Sequence, residues 1–385
     1  MSSRCAWLLT VLVAGGVSCL NGQSVYNPDI SVIPRFVLST DDGAQLPERR
    51  VFSRPEFTLE ELELGLQAYV NPYARGDIFF SMEGIEQPDI SLEEAYVSII
   101  KGLPLDMNIR LGKYRVEFGK LNMVHPHALP FVGSVLVQER FLGEGGLNDL
   151  GLTASFLLPT GEVYSRLSLD ILAGTSIGVL EPGQEASGGG AGIIDTTDGP
   201  ALYAQAGRAM TFIPLGDESD IEIGLSALTG IHDPYAKLRF WYWNLDFKYK
   251  WKPDSYTSLV VQGEWLVNLR HAHRDRELVP FTDDGGNPVR RSITSAGMYF
   301  FADYQFFKVY SAGGRLDWAE SPYHADDRAW AVAVFAGYYP VEETLGLRLH
   351  YQHTRTTPPR GDAASVNWIG LQAVLSIGPH KAHPF

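Results

Sequence analysis

Apolar and polar residues alternate in strand-length segments along almost the whole chain. Within residues 57–71, apolar side chains occupy every second position from Leu62 to Val70, and residues such as Glu61 and Glu63 lie between them. Successive side chains of a strand point to opposite faces, so each segment shows one face to an apolar medium and the other to polar surroundings. The repetition predicts an all-β fold, a closed antiparallel transmembrane β-barrel.

The connections between these segments alternate in length. About sixteen candidate strands, from residues 30–38 to 366–377, give an even number within the size range of porins. Tight turns such as Asn71-Pro72 alternate with long loops, which we place at residues 40–56, 116–148, 174–200, 270–292 and 319–327. Outer-membrane barrels have short turns on the periplasmic side and long loops outside. A soluble β-sandwich, the alternative fold, is not expected to sort its loops in this way.

The amino terminus has the layout of a secretory signal peptide. Arg4 provides a short positive region, residues 6–13 are apolar, and small residues follow. We therefore divide the chain into a signal peptide, residues 1–23, and an outer-membrane barrel, residues 24–385. A buried N-terminal helix and a lipid attachment at Cys19 remain as alternatives. Because Cys5 and Cys19 are the only cysteines, we expect no disulfide in the mature barrel.

Composition narrows the class of partner. The formal charge of −14 argues against nucleic acid, which binds basic surfaces. Beyond the signal peptide no apolar run approaches the roughly 20 residues of a transmembrane helix. Aromatic residues near strand ends, as in residues 241–251, fit the interfacial belts of a barrel in outer-membrane lipid. The terminal Phe385 is the mark expected by the barrel-assembly machinery of a Gram-negative-type bacterium.

Alternation also places charged side chains on the inward face of the barrel. The predicted pore lining comprises Arg75, Glu94, Arg110, Tyr114, Arg315 and Arg348. Two interpretations are open: opposite charges pair across neighbouring strands and stiffen the wall, or they set up a transverse field that orders polar solutes. Since both signs are interleaved, the lining predicts weak ion selectivity.

The third outside loop, residues 116–148, is unusually rich in apolar side chains. A loop of this composition is not expected to stand in water. We therefore predict that it folds into the lumen and narrows the channel. Glu117, Arg140 and Glu144 are expected to face Arg110 and Tyr114 across this constriction.

The same region carries a family resemblance. Its motifs are Phe118-Gly119-Lys120-Leu121-Asn122, His125-Pro126-His127-Ala128 and residues 140–149, preceded by Glu94-Ala95-Tyr96 and Leu111-Gly112-Lys113. In these motifs the chain resembles bacterial outer-membrane barrels often labelled zinc-regulated TonB-dependent outer-membrane receptors. That family is distantly similar to phosphate-selective porins O and P. The resemblance implies a barrel with a role in uptake.

His125 and His127 raise the question of a metal ligand. The label of the resembling family supports a metal site, and His271 and His273 lie in another outside loop. In an extended chain, residues two positions apart share a face, but a zinc site needs further ligands that the spacing does not supply. A structural role in a packed loop is the alternative. No other cofactor is predicted.

Two functions from different classes fit these features. The first is passive diffusion of small hydrophilic solutes or ions, because the lumen of such a barrel is too wide for wall side chains to fill. The second is a receptor for a specific nutrient such as a metal ion. We see no obvious plug domain before the barrel, which favours the pore. No common catalytic motif is found, so we expect no enzyme, and a homotrimer is expected by analogy with porins.

Overall fold

The computed structural model describes residues 28–379, except 44, 47–48, 51, 85–87, 144, 162, 175–203, 234–237, 273–280, 288 and 342–343. Five predictions lie wholly or almost wholly outside the described residues. They concern the signal peptide at residues 1–23, the long loop at residues 174–200, the constriction residue Glu144, His273 and the terminal Phe385.

Sixteen strands form one closed antiparallel barrel, in which each strand pairs with its neighbours in the sequence. The strands are β1 (Asp29–Asp41), β2 (Glu56–Asn71), β3 (Ala74–Glu83), β4 (Asp89–Ile99), β5 (Asn108–Arg115), β6 (Asn148–Leu158), β7 (Tyr164–Leu172), β8 (Ala204–Pro214), β9 (Ser219–Asp233), β10 (Leu238–Trp251), β11 (Ser258–Ala272), β12 (Arg291–Phe306), β13 (Tyr310–Ser321), β14 (His324–Val341), β15 (Leu345–Thr357) and β16 (Ala364–Leu375). The fold predicted from alternation is confirmed.

The first and last strands close the barrel. Their pairing runs from Arg35 opposite Val374 to Asp41 opposite Trp368. Closure gives a hydrogen-bond partner to backbone groups that would otherwise stand at a sheet edge, where hydrocarbon offers none.

The two faces of the sheet differ in polarity as the alternation predicts. In β10 and β11, Trp243, Leu245 and Trp265 are exposed on the outside, whereas Asp246 and Glu264 are buried inside. Similar apolar residues cover the outside of the other strands. A contiguous apolar surface of this size is unfavourable in water and favourable in lipid.

Two connections differ from the prediction. The long loop expected at residues 319–327 is wrong, because β13 runs to Ser321 and β14 begins at His324. The pairing of these two residues leaves Pro322 and Tyr323 as a tight turn. At the other end of the barrel, residues 104–106 form a 3₁₀ turn in which Leu105 has φ 58°, so β5 begins at Asn108 and not at residue 105, where alternation predicts its start.

Short helical segments occur outside the sheet. In the loop between β5 and β6 these are two 3₁₀ turns, Leu121–Met123 and Pro126–Ala128, and the helix α1 (Leu136–Leu142). Among the residues that the structure describes, no helix combines the length and the hydropathy needed to cross a membrane.

Candidate functional site

The loop of residues 116–147 lies inside the barrel, and we call it the internal loop. It leaves from β5, and β13 lies on the opposite wall because it is eight strands away in the sixteen-stranded ring. Leu136 N–H donates to Asp317 of β13 at 3.2 Å, and Arg315 of β13 donates to the Ser134 carbonyl at 3.2 Å. The internal loop therefore crosses the lumen from wall to wall, as its composition predicted.

Burial of aromatic side chains explains why the loop is stable there. The Phe131 ring lies 5.3 Å from the Phe301 ring of β12, and the Phe141 ring lies 5.8 Å from the Tyr242 ring of β10. Phe118 is also almost fully buried. Burying a side chain of this size contributes about 1.5–3 kcal/mol. Several such contacts offset the entropy lost when the loop becomes ordered.

Asn122 fastens the base of the internal loop. Its side-chain amide donates to the carbonyls of Val116 and Leu147 at 2.8 and 2.9 Å, and its oxygen accepts the Leu147 N–H at 2.7 Å. The Val116 N–H donates to the Leu147 carbonyl at 2.9 Å. The two ends of the loop are therefore held together like a hairpin.

Next to its start, the loop pairs with charges on the near wall. Arg166 of β7 donates to Glu117 at 2.7 Å. Burial raises the pKa of Glu117, but Arg166 and Arg110 outweigh burial and hold that pKa below its usual value. The Tyr114 hydroxyl donates to Asp170 at 3.0 Å, and the Arg110 guanidinium lies 5.4 Å from the Tyr114 ring centre. Three of the predicted constriction residues, Arg110, Tyr114 and Glu117, thus lie together.

Glu264 of β11 anchors the next residues of the loop. One of its oxygens accepts the N–H groups of Lys120 and Leu121 at 3.0 and 2.6 Å, and the Lys120 ammonium donates to Glu222 of β9 at 2.7 Å. The preceding Gly119 has φ +68°, and a side chain there would collide with the Glu264 carboxylate. A glycine is therefore required where the loop passes close to Glu264 of the wall.

On the far side of the barrel, β15 holds the middle of the loop. Arg348 donates to the His127 carbonyl at 2.7 Å, and the Val132 N–H donates to the His350 ring at 3.1 Å. The Arg315 guanidinium of β13 lies 4.4 Å from the Phe131 ring centre. Arg315 and Arg348, both predicted to line the pore, thus bind the internal loop.

Small residues on the inward face make room for helix α1. A side chain at Gly297 of β12 would meet Val137 of the helix and Ala319 of β13. Ala329 and Ala331 of β14 are also buried on this face. The side chains of the wall beneath the helix are therefore small and apolar, unlike the charged side chains that alternation places elsewhere on the inward face.

His125 and His127 meet a carboxylate of the wall. The Nδ1 atoms of the two rings lie 2.9 and 3.4 Å from Glu63 Oε2 of β2, and His125 Nε2 lies 2.9 Å from Glu94 Oε1 of β4. Burial lowers the pKa of His125, but its hydrogen bonds with Glu63 and Glu94 outweigh burial and raise that pKa to about 9. For His127 burial prevails, and its pKa is lowered.

The other predicted lining residues lie apart from this cluster. Arg75 of β3 pairs with Asp77 at 3.0 Å and keeps 27% of its side chain exposed. Arg140 pairs with Asp327 of β14 at 3.2 Å. It is therefore held against the wall opposite Arg110 and Tyr114, and the three residues do not form one narrow ring.

Sequence reasoning did not identify the anchors of the loop. Asn122 and Lys120 stand out in the sequence only as parts of a motif. Alternation places Glu63, Glu222 and Glu264 on the inward face but does not pair them with the loop. The sequence carried one usable signal, the run of small residues on the inward face of β14, which indicates that something packs against that wall.

Comparison with known sequences finds a distant bacterial relative. No family model matches the chain. A protein of Aquifex aeolicus (strain VF5), described as uncharacterized, is 27% identical over 359 residues, which cover 86% of this chain and 70% of the relative.

Comparison with solved structures gives a consistent class of fold. The outer membrane channel DcaP of Acinetobacter baumannii has a TM-score of 0.58 at 11% identity, covering 94% of this chain and all of that one. An anion-selective porin of Comamonas acidovorans has a TM-score of 0.57 at 8% identity, covering 91% and 99%. The trimer form of OmpT, an outer membrane protein of Vibrio cholerae, has a TM-score of 0.53 at 8% identity, covering 91% and 100%.

These likenesses establish the fold as that of outer-membrane porins. The porin side of the sequence resemblance is therefore confirmed at the level of fold. The label of a zinc-regulated TonB-dependent receptor finds no support among these structures.

Proposed function

We propose that this protein is a porin-like channel in the outer membrane of a Gram-negative-type bacterium, through which small hydrophilic solutes or ions diffuse passively. The observation that carries the proposal is a sixteen-stranded barrel, apolar outside and lined inside by many charged side chains, whose lumen is narrowed by an internal loop. Barrels of this size leave an aqueous passage that wall side chains cannot fill.

The charges that keep contact with solvent would guide the solute. Arg75 and Arg166 have 27% and 30% of their side chains exposed. By contrast, Arg208 and Asp246 pair in full burial, with Arg208 donating to Asp246 at 2.8 Å. The opposite charges of a buried pair stiffen the wall, and their fields cancel at a distance. Both interpretations of the lining therefore apply: buried pairs stiffen the wall, and partly exposed charges act on the solute.

Planar-bilayer recording tests the proposal. The purified protein should give discrete, ohmic conductance steps in potassium chloride, and neutral sugars above a size limit should not pass in liposome swelling. A protein that is silent in bilayers yet binds one solute tightly would overturn the channel and favour the nutrient receptor.

Processing and assembly form part of the same proposal. Residues 1–23 would be removed on export, leaving the barrel of residues 24–385, and the terminal Phe385 would be bound by the barrel-assembly machinery. OmpT of Vibrio cholerae is described in a trimer form, which supports a homotrimer here. Amino-terminal sequencing tests the removal of residues 1–23, and the mass of the detergent-solubilised particle tests the homotrimer.

A further inference from the structure

One carboxylate and two imidazoles converge where the internal loop meets β2. The ligand atoms of Glu63, His125 and His127 all lie within 4.8 Å of one another. We propose that these three side chains bind a divalent transition-metal ion of the Zn²⁺ class. The site is independent of the proposed channel function, since it rests only on the contact between loop and wall.

The distances suit coordination with little movement. His125 Nδ1 and His127 Nδ1 lie 2.9 and 3.4 Å from Glu63 Oε2. Ligands about 2.0–2.1 Å from a tetrahedral zinc ion are roughly 3.3–3.5 Å apart, so the two distances to Glu63 would have to change by no more than a few tenths of an ångström. Glu63 and His127 are buried, and His125 keeps 16% of its side chain exposed, which leaves a way in from the lumen.

Glu94 supplies the outer support that metal-binding imidazoles usually have. Its Oε1 lies 2.9 Å from His125 Nε2, and its other oxygen accepts the Arg115 N–H at 3.2 Å. A carboxylate on the far nitrogen of a ligating imidazole fixes the ring and increases its basicity. The contact here directs Nδ1 of His125 at Glu63.

The charge of the surrounding cluster also calls for a cation. Arg35 pairs with Glu61 at 2.8 Å, and Arg115 pairs with Glu93 at 3.5 Å. In the described part of the chain, the ion-pair partners of Glu63 and Glu94 are imidazoles. Once a metal ion has displaced the proton that His125 shares with them, these two carboxylates carry two negative charges in a buried place, which one divalent ion balances. A protonated His125 shared by both carboxylates is the competing state.

The donor set selects the kind of ion. Two imidazole nitrogens and one carboxylate suit Zn²⁺, Cu²⁺ or Ni²⁺, whereas Mg²⁺ and Ca²⁺ prefer oxygen ligands alone. Three protein ligands leave a coordination position for water. A bound ion would tie His125 and His127 of the internal loop to Glu63 of β2.

Metal titration of the chelator-treated full-length protein in detergent tests the site. Zn²⁺ should bind at one equivalent by calorimetry, and Co²⁺ should give the intense visible bands of a four- or five-coordinate ion with nitrogen ligands. E63Q and the double variant H125A/H127A should lose this binding. E94Q should retain the Co²⁺ spectrum but bind about 10–100-fold more weakly.

Two variants outside the cluster serve as controls. H324A changes the first residue of β14, and E56Q changes the first residue of β2, seven positions before Glu63. Both variants should bind Zn²⁺ like the wild type. Heat-modifiable migration on gels reports the folding of each variant. The wild-type Co²⁺ spectrum decides the matter even if a variant fails to fold. An octahedral aqueous spectrum in the wild type, or undiminished Zn²⁺ binding by folded E63Q, would overturn the proposal in favour of the shared proton.

Discussion

At the scale of single residues, two glycines of the internal loop allow the stability cost of backbone strain to be measured apart from the cost of steric crowding. Gly119 and Gly133 both have positive φ, +68° and +77°. A side chain at Gly119 would displace the Glu264 carboxylate, whereas nothing lies within 4 Å of one at Gly133. The pair therefore offers a matched comparison, because both replacements by alanine carry the same left-handed backbone cost.

We predict that G133A lowers stability by about 1–2 kcal/mol, the cost of a left-handed L-residue. G119A should cost about 1–3 kcal/mol more, because moving Glu264 disturbs its 2.8 Å hydrogen bond from Asn244 and its bonds to the loop. Urea unfolding in lipid vesicles measures both. Equal losses of unfolding free energy in the two variants would mean that the loop at Gly119 is not packed against Glu264.

Glu117 makes the loop sensitive to acid. Its folded pKa lies below the ordinary 4.5, since Arg166 and Arg110 outweigh burial. A depressed folded pKa gives a stabilisation that is complete above pH 4.5 and is lost as the pH falls through the folded value. Limited proteolysis of the loop should accelerate below that pH in the wild type. In E117Q the acceleration should be absent, and in the exposed-residue control E139Q it should remain.

At the scale of elements, the internal loop is the part whose removal should change the function and spare the fold. The barrel is held by strand pairing all round the ring, and none of that pairing involves residues 129–140. Deleting these residues removes Phe131, Val135 and most of α1 from the lumen. We predict a several-fold higher single-channel conductance with unchanged heat-modifiable migration.

A deletion elsewhere controls for general damage. Residues 283–287 form an exposed turn held by hydrogen bonds from Gly285 and Asn287 to Asp283. Shortening that turn should leave conductance at the wild-type value. If the two deletions have the same conductance and the same solute size limit, the internal loop does not line the pore.

The elements themselves were readable from the sequence, and their contacts were not. Period-two alternation is a local property, so all sixteen strands and the inward loop could be predicted from neighbouring residues. Anchors such as Glu264 with Lys120 join residues 144 apart in the chain, and no local pattern records such a pairing. The long loop predicted at residues 319–327 was wrong for a related reason. Strand residues that face a water-filled lumen are polar, and their composition resembles that of a loop.

At the scale of the whole molecule, the acidic net charge and the selectivity of the lumen are separate quantities. The formal charge of −14 sums over every loop, strand and terminus. A passing ion responds chiefly to unpaired or solvent-exposed charges within about 8–10 Å, the screening length at physiological salt. Buried pairs such as Arg315 with Asp317, 2.7 Å apart, act on it only weakly.

The partly exposed Arg75 and Arg166 therefore decide the selectivity. A unit charge about 8 Å from an ion changes its energy by about 0.5 kcal/mol in water, which is roughly a twofold change in permeability. We predict a small reversal potential for the wild type in a potassium chloride gradient. R75Q and R166Q should each shift it towards cations by about that factor, while R140Q, a change on the opposite wall beside Asp327, should shift it less. A strong cation selectivity in the wild type would show that the net charge, and not the local lining, governs the passage.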